Sequence, residues 1–79
     1  MNLMAQKNDY IIMKSSRLPA LSIAKESDAY AGLTCKEADI QPRQIYTSIV
    51  DAQRDAQRLT ELNPVGFTVW AIGQDKPTT

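Results

Sequence analysis

Apolar residues recur through residues 48–62 at the spacing of an α-helix. Ile49, Ala52, Ala56, Leu59 and Leu62 lie three or four positions apart, so a helical backbone gathers them into one stripe. Ser48 stands where an N-cap belongs, and Asp51 sets a carboxylate against the positive end of the helix dipole. Asn63-Pro64 supply the stop. Elsewhere the segments are short, β-branched and aromatic: residues 10–14 (YIIMK), 44–47 (QIYT) and 66–72 (GFTVWAI) read as strands. In residues 20–25, Leu21 and Ile23 alternate with Ser22 and Ala24, behind a Pro19 that has no N–H for a ladder. The predicted class is α+β, in the order β-β-β-α-β. A small antiparallel sheet of three to four strands carries one main helix packed on one face, within a single domain over residues 1–79. Residues 1–9 read as a loose arm and residues 73–79 as a flexible tail.

Two parts of the chain carry a second message. Thr34 with Glu37 resembles a capping box, which predicts a short helical turn over residues 35–39 before Pro42 breaks it. Ile45, Ile49, Ala52, Ala56 and Leu59 also fit a 4-3-4-3 pattern, with Pro42 acceptable in a first helical turn. A helix over residues 42–62 would then make a helix-turn-helix with a wing strand, offering Arg43, Arg54 and Arg58 to nucleic acid. The β-branched and aromatic run Ile45-Tyr46-Thr47 and the cap-like Ser48 favour the strand instead.

A sheet with one helix on it and one wet face should alternate cleanly, and these strands do not. Sorting by parity puts Ile11, Met13, Leu21, Ile23, Ile45, Phe67 and Val69 under the helix. Tyr10, Ile12, Tyr46, Trp70 and Ile72 then fall on the far face, although a shift of register exchanges the sets strand by strand. Three covers fit that second apolar face: residues 26–43 folded across it, a second copy of the chain, or another protein. In the last case Tyr10, Ile12, Tyr46, Trp70 and Ile72 are the partner-binding residues, because aromatic side chains dominate interface energies.

Composition narrows the chemistry. Nine Lys plus Arg balance nine Asp plus Glu, and the basic residues are dispersed, which disfavours nucleic-acid binding. The tandem Asp51-Ala-Gln-Arg54 and Asp55-Ala-Gln-Arg58 reads as i,i+3 ion pairs on a solvated helix face. There is no His, so His-based triads and His-ligated metals are excluded, and the single Cys35 excludes a multi-cysteine zinc site. Cys35 has neither a His nor an adjacent Arg to activate it, although Lys36 follows, and is expected to be a buried, inert thiol. Glu37 and Asp39 are two apart and diverge on a helix, and the three glycines are isolated, so neither a carboxylate pair nor a phosphate loop is present. No cofactor and no metal are expected, and the chain is not expected to be an enzyme. Apolar runs stop at four residues, as in Tyr10 to Met13, and no leader pattern opens the chain, so a cytoplasmic protein away from membranes is expected.

The string Ile45-Tyr46-Thr47-Ser48-x-x-Asp51-Ala52-x-x-x-Ala56-x-x-Leu59, followed by Asn63-Pro64 and Phe67-x-Val69, resembles small accessory proteins of phages, prophages and other mobile elements. The resemblance covers residues 44–72 and implies a compact α+β domain. Members of that kind include inhibitors that bind and block a host protein, anti-CRISPR and other anti-defence proteins among them. It implies no catalytic or binding residues for this chain. The expected function is a non-enzymatic protein-interaction module, with a protein partner or a homo-oligomer as its target; the alternative is a helix-turn-helix regulator.

Overall fold

A computed structural model describes residues 9–16 and 23–78. The chain passes through β1 (Tyr10–Lys14), one 3-10 turn (Glu26–Asp28), a short helix α1 (Leu33–Glu37), the main helix α2 (Ile49–Leu62) and β2 (Phe67–Ala71). The α+β class and the single long helix match the expectation. The sheet is smaller: among the described residues it has two antiparallel strands, β1 and β2. Residues 44–47 contribute only Tyr46, whose N–H and carbonyl bond the carbonyl and N–H of Tyr10 at 2.9 and 2.8 Å. Between the turn at Pro42 and Arg43 and the start of α2 there is too little extended chain for more. In the expected strand at residues 20–25, positions 20–22 lie outside the described residues, as do residues 1–8 of the expected arm. Residues 23–25 are irregular, with Ala24 bonded through its N–H to Gln74 at 2.7 Å and through its carbonyl to Gly73 at 2.9 Å.

Helix α2 follows its sequence signals closely. The Ser48 hydroxyl accepts from the Asp51 N–H, supplying one of the acceptors that the first turn lacks. Ala52, Ala56 and Leu59 are buried, while Leu62 at the end of the stripe is exposed. Because α2 starts at Ile49 and Pro42 lies in a turn, no helix-turn-helix forms. After the helix, Gly66 donates to the Asn63 carbonyl at 3.1 Å. Gly66 takes φ +84°, and a Cβ there would stand 3.2 Å from the Ser15 hydroxyl. That combination calls for glycine. One hydroxyl links α2 to β2: Thr60 donates to the Ala56 carbonyl at 2.8 Å and accepts from the Phe67 N–H at 3.1 Å.

Helix α1 is shifted two residues toward the N-terminus from the expected 35–39, and its N-cap is Gly32. Thr34 does not cap; its hydroxyl accepts from the Tyr30 hydroxyl at 3.1 Å. The helix ends in a Schellman motif, with Ile40 donating to Cys35 at 2.8 Å and Asp39 to Lys36 at 3.1 Å. Asp39 holds the left-handed position of that motif at φ 58°.

Strand register decides the two faces. β1 pairs Ile12 with Val69 and Ile11 with Trp70, and directly opposed residues share a face. Ile12, Tyr46, Phe67 and Val69 therefore pack with Ala52, Ala56 and Leu59 of α2, joined by Cys35, Ala38 and Ile40. Ile11, Met13 and Trp70 point the other way and are covered by Ala24 and Ala29, with Ile45 and Ile72 at the margin. The expected parity holds for β2 and is reversed for β1 and for Ile45-Tyr46, the one-residue exchange that the alternation left open. Leu21 lies outside the described residues, and Ile23 is exposed. A two-stranded ribbon is marginal in water by itself; here each face has its own cover.

Candidate interaction site

Two surfaces combine polar groups with room for another molecule. The first is a recess of about 740 Å³ bordered by Lys36, Asp39, Gln41, Gln44, Asp51 and Arg54. At its inner wall the Tyr46 hydroxyl donates to Asp55 Oδ2 at 2.6 Å. Asp55 Oδ1 accepts from Arg54 Nε at 3.3 Å and Arg58 Nη1 at 3.4 Å. Arg58 also donates to the Ala38 carbonyl at 2.6 Å, tying α2 to the end of α1. Burial, and then the hydrogen bond and negative charge of Asp55, push the Tyr46 hydroxyl well above its usual range. This network satisfies a buried carboxylate, and its phenol is held protonated through neutral pH. Cys35 is buried as expected, and burial raises its thiol too.

The second surface is the outer edge of β2. Tyr10 and Ile12 spend their backbone groups on Tyr46 and Tyr30, so Phe67, Val69 and Ala71 opposite them turn theirs away from β1. Beside this edge runs a groove of about 400 Å³ between β2 and α2, with Ala56, Phe67 and Val69 as its apolar floor and Gln53, Gln57 and Thr60 along the helix. No residue of the strand or the groove is charged. The edge is partly occupied by the chain itself. Thr78 donates its N–H to the Val69 carbonyl at 2.7 Å, and its hydroxyl accepts from the Ala71 N–H at 2.9 Å. Among the described residues, no hydrogen-bond partner meets the Val69 N–H or the Phe67 carbonyl.

The residues expected to bind a partner do not form one exposed face. Ile12, Tyr46 and Trp70 are buried, with Trp70 only 3% exposed, and Tyr10 and Ile72 are half-buried. They are also divided: Tyr10, Ile12 and Tyr46 belong to the helix side, Trp70 and Ile72 to the other. The correction follows from the reversed parity of β1 and from Ala24 and Ala29, which cover the far face, while Cys35, Ala38 and Ile40 of the 26–43 segment expected there pack on the helix side. The three arginines considered for nucleic acid are engaged within the chain. Arg43 donates to the Ser27 carbonyl at 2.8 Å, Arg54 pairs with Asp51 at 3.2 Å, and Arg58 pairs with Asp55. The expected i,i+3 pairs of the tandem repeat are both present. The solvated face expected for the tandem repeat does not hold at Asp55, which is buried, and the sequence assigns Thr78 no role. Asp55 sits between Ala52 and Leu59 at stripe spacing, a signal that a buried carboxylate would need partners. Thr78 gives no such signal. Comparison of the chain with family models, curated proteins and solved structures finds no match.

No helix among the described residues is long and apolar enough to cross a membrane, and no group of three or more metal-ligating side chains occurs among them.

Proposed function

We propose that the protein is a non-enzymatic interaction module that takes an extended segment of a partner polypeptide along the outer edge of β2. The observation that carries this reading is the edge itself: outward-facing backbone groups beside an uncharged groove with an apolar floor. Strand addition uses such an edge for affinity through main-chain hydrogen bonds, and reads alternate side chains in the adjoining groove. Edge strands that must stay unpaired commonly carry a charge or a proline, and β2 has neither. The chain's own Thr78 shows that this edge accepts a backbone N–H and offers one to a hydroxyl. A preferred segment is therefore uncharged, extended and rich in small or β-branched residues. Residues 44–72 resemble small accessory proteins of mobile elements, some of which act by binding other proteins, and that accords with the same class of function.

Selection of peptides from a random display library against the purified chain tests this. Binders are expected to shift the amide signals of Phe67, Val69 and Ala71 together with the side-chain amides of Gln53 and Gln57. Binders that instead move signals around Asp39 and Arg54, or a library that yields none, would overturn it.

A further inference from the structure

The geometry points to the segment after β2 as a strap that guards this edge against a second strand. The inference rests on the interaction reading above and adds its regulation. Residues 73–78 form no helix or strand, yet they are fixed at both ends. Gly73 and Gln74 bond Ala24, Gln74 also donates to the Ala71 carbonyl at 3.2 Å, and Thr78 hooks onto Val69 and Ala71. Between these anchors, residues 75–77 include Asp75 and Lys76, both exposed, and Pro77, which has no N–H to offer a neighbouring strand.

The strap takes the edge groups that a new strand needs. With Thr78 in place, the Val69 carbonyl and the Ala71 N–H are occupied, so an incoming strand gains them only after the hook lets go. Release would free the Val69 carbonyl and the Ala71 N–H beside the unmet Val69 N–H and Phe67 carbonyl. The longer edge is self-complementary. In an antiparallel pairing about Thr68, the Val69 N–H of each copy faces the Phe67 carbonyl of the other. A second copy of the chain is thus a fitting probe of the opened edge.

Sedimentation of the full chain compares wild type with Thr78→Ala, which removes the hydroxyl, and Thr78→Pro, which removes the N–H as well. Thr78→Pro is expected to self-associate about tenfold more tightly than wild type, with Thr78→Ala between, since each released hydrogen bond is worth a factor of a few. Hydrogen exchange at the Val69 and Ala71 amides of Thr78→Pro should slow as concentration rises. Unchanged or weaker self-association, or association without that protection, overturns the strap. Should display-selected peptides shift the β2 amides with one affinity in wild type and Thr78→Pro, the strap fails while the edge reading stands. Peptides that bind elsewhere would remove the edge reading, and the sedimentation result would still judge the strap by itself.

Discussion

The two sides of the sheet are closed by different means. On one side α2 satisfies its own backbone hydrogen bonds, lays Ala52, Ala56 and Leu59 on the apolar face of the strands, and meets β2 through the Thr60 hydroxyl. On the other side the cover has the bonds of its 3-10 turn, Asp28 to Lys25 and Ala29 to Glu26, and borrows others from β1 and the segment after β2. Tyr30 bonds the edge of β1 through Ile12, and Ala24 bonds residues 73 and 74. A helical cover thus leans on a strand edge through one side-chain hydroxyl, whereas the loop cover engages the edges through its backbone groups. On the outer edge of β2 the Val69 N–H and the Phe67 carbonyl remain unmet among the described residues, and there the sheet still has groups to pair.

The largest expected effects test whether the loop-covered side is a core of equal standing. Trp70→Ala should cost about 3–5 kcal/mol and Leu59→Ala about 2–5 kcal/mol in urea unfolding. A cost below about 1 kcal/mol for Trp70→Ala would show a loosely closed face and break the comparison. Tyr46→Phe, between the two helices and β1, leaves Asp55 short of a partner and should cost about 1–3 kcal/mol near neutral pH. It also sharpens a pH effect. Tyr46 and Cys35 are both raised by burial, so the unfolded chain releases these protons at lower pH than the folded one. Their contribution is complete below the unfolded values of about 9 for the thiol and about 10 for the phenol, and is lost as pH rises beyond them. Urea midpoints should fall from pH about 9 upward, and Tyr46→Phe should flatten the part of the fall above pH about 10.

Smaller effects compare the two caps. Ser48→Ala removes the acceptor at the start of α2 and should cost about 1 kcal/mol, read as a lower urea midpoint. Asp39→Gly should raise stability by about 0.5–1 kcal/mol, because glycine holds the left-handed position of the α1 cap without a Cβ. A loss at Asp39→Gly would show that its carboxylate, beside the recess, contributes more than its backbone strain removes.

The same contrast explains what the sequence made legible. The helix could be read from residue 48 to its stop because cap, stripe and terminator are local and periodic. The expected alternation of β2 holds, since Phe67 and Val69 do oppose Trp70. The parity of β1 was not legible: Tyr10 through Met13 are apolar on both faces, and Ile12 pairs with Val69, too far along the chain for a local pattern to relate them. The strand expected at residues 44–47 shrinks to one bridge, because its β-branched residues supply propensity without the length a ladder needs. The candidate site was the least legible part. An edge is defined by which backbone groups remain unpaired, and backbone groups are alike in every residue. Even Thr78, whose hydroxyl closes part of that edge, looks like any polar residue in a tail.

The Thr60 hydroxyl has a dynamic corollary. As both donor to the preceding turn and acceptor for the first residue of β2, it makes the end of α2 and the beginning of β2 fray together. Amide exchange at Phe67 should therefore keep pace with that of the helix's final turn, and loosening at the 63–66 corner would pass into the strand and not stop at the helix.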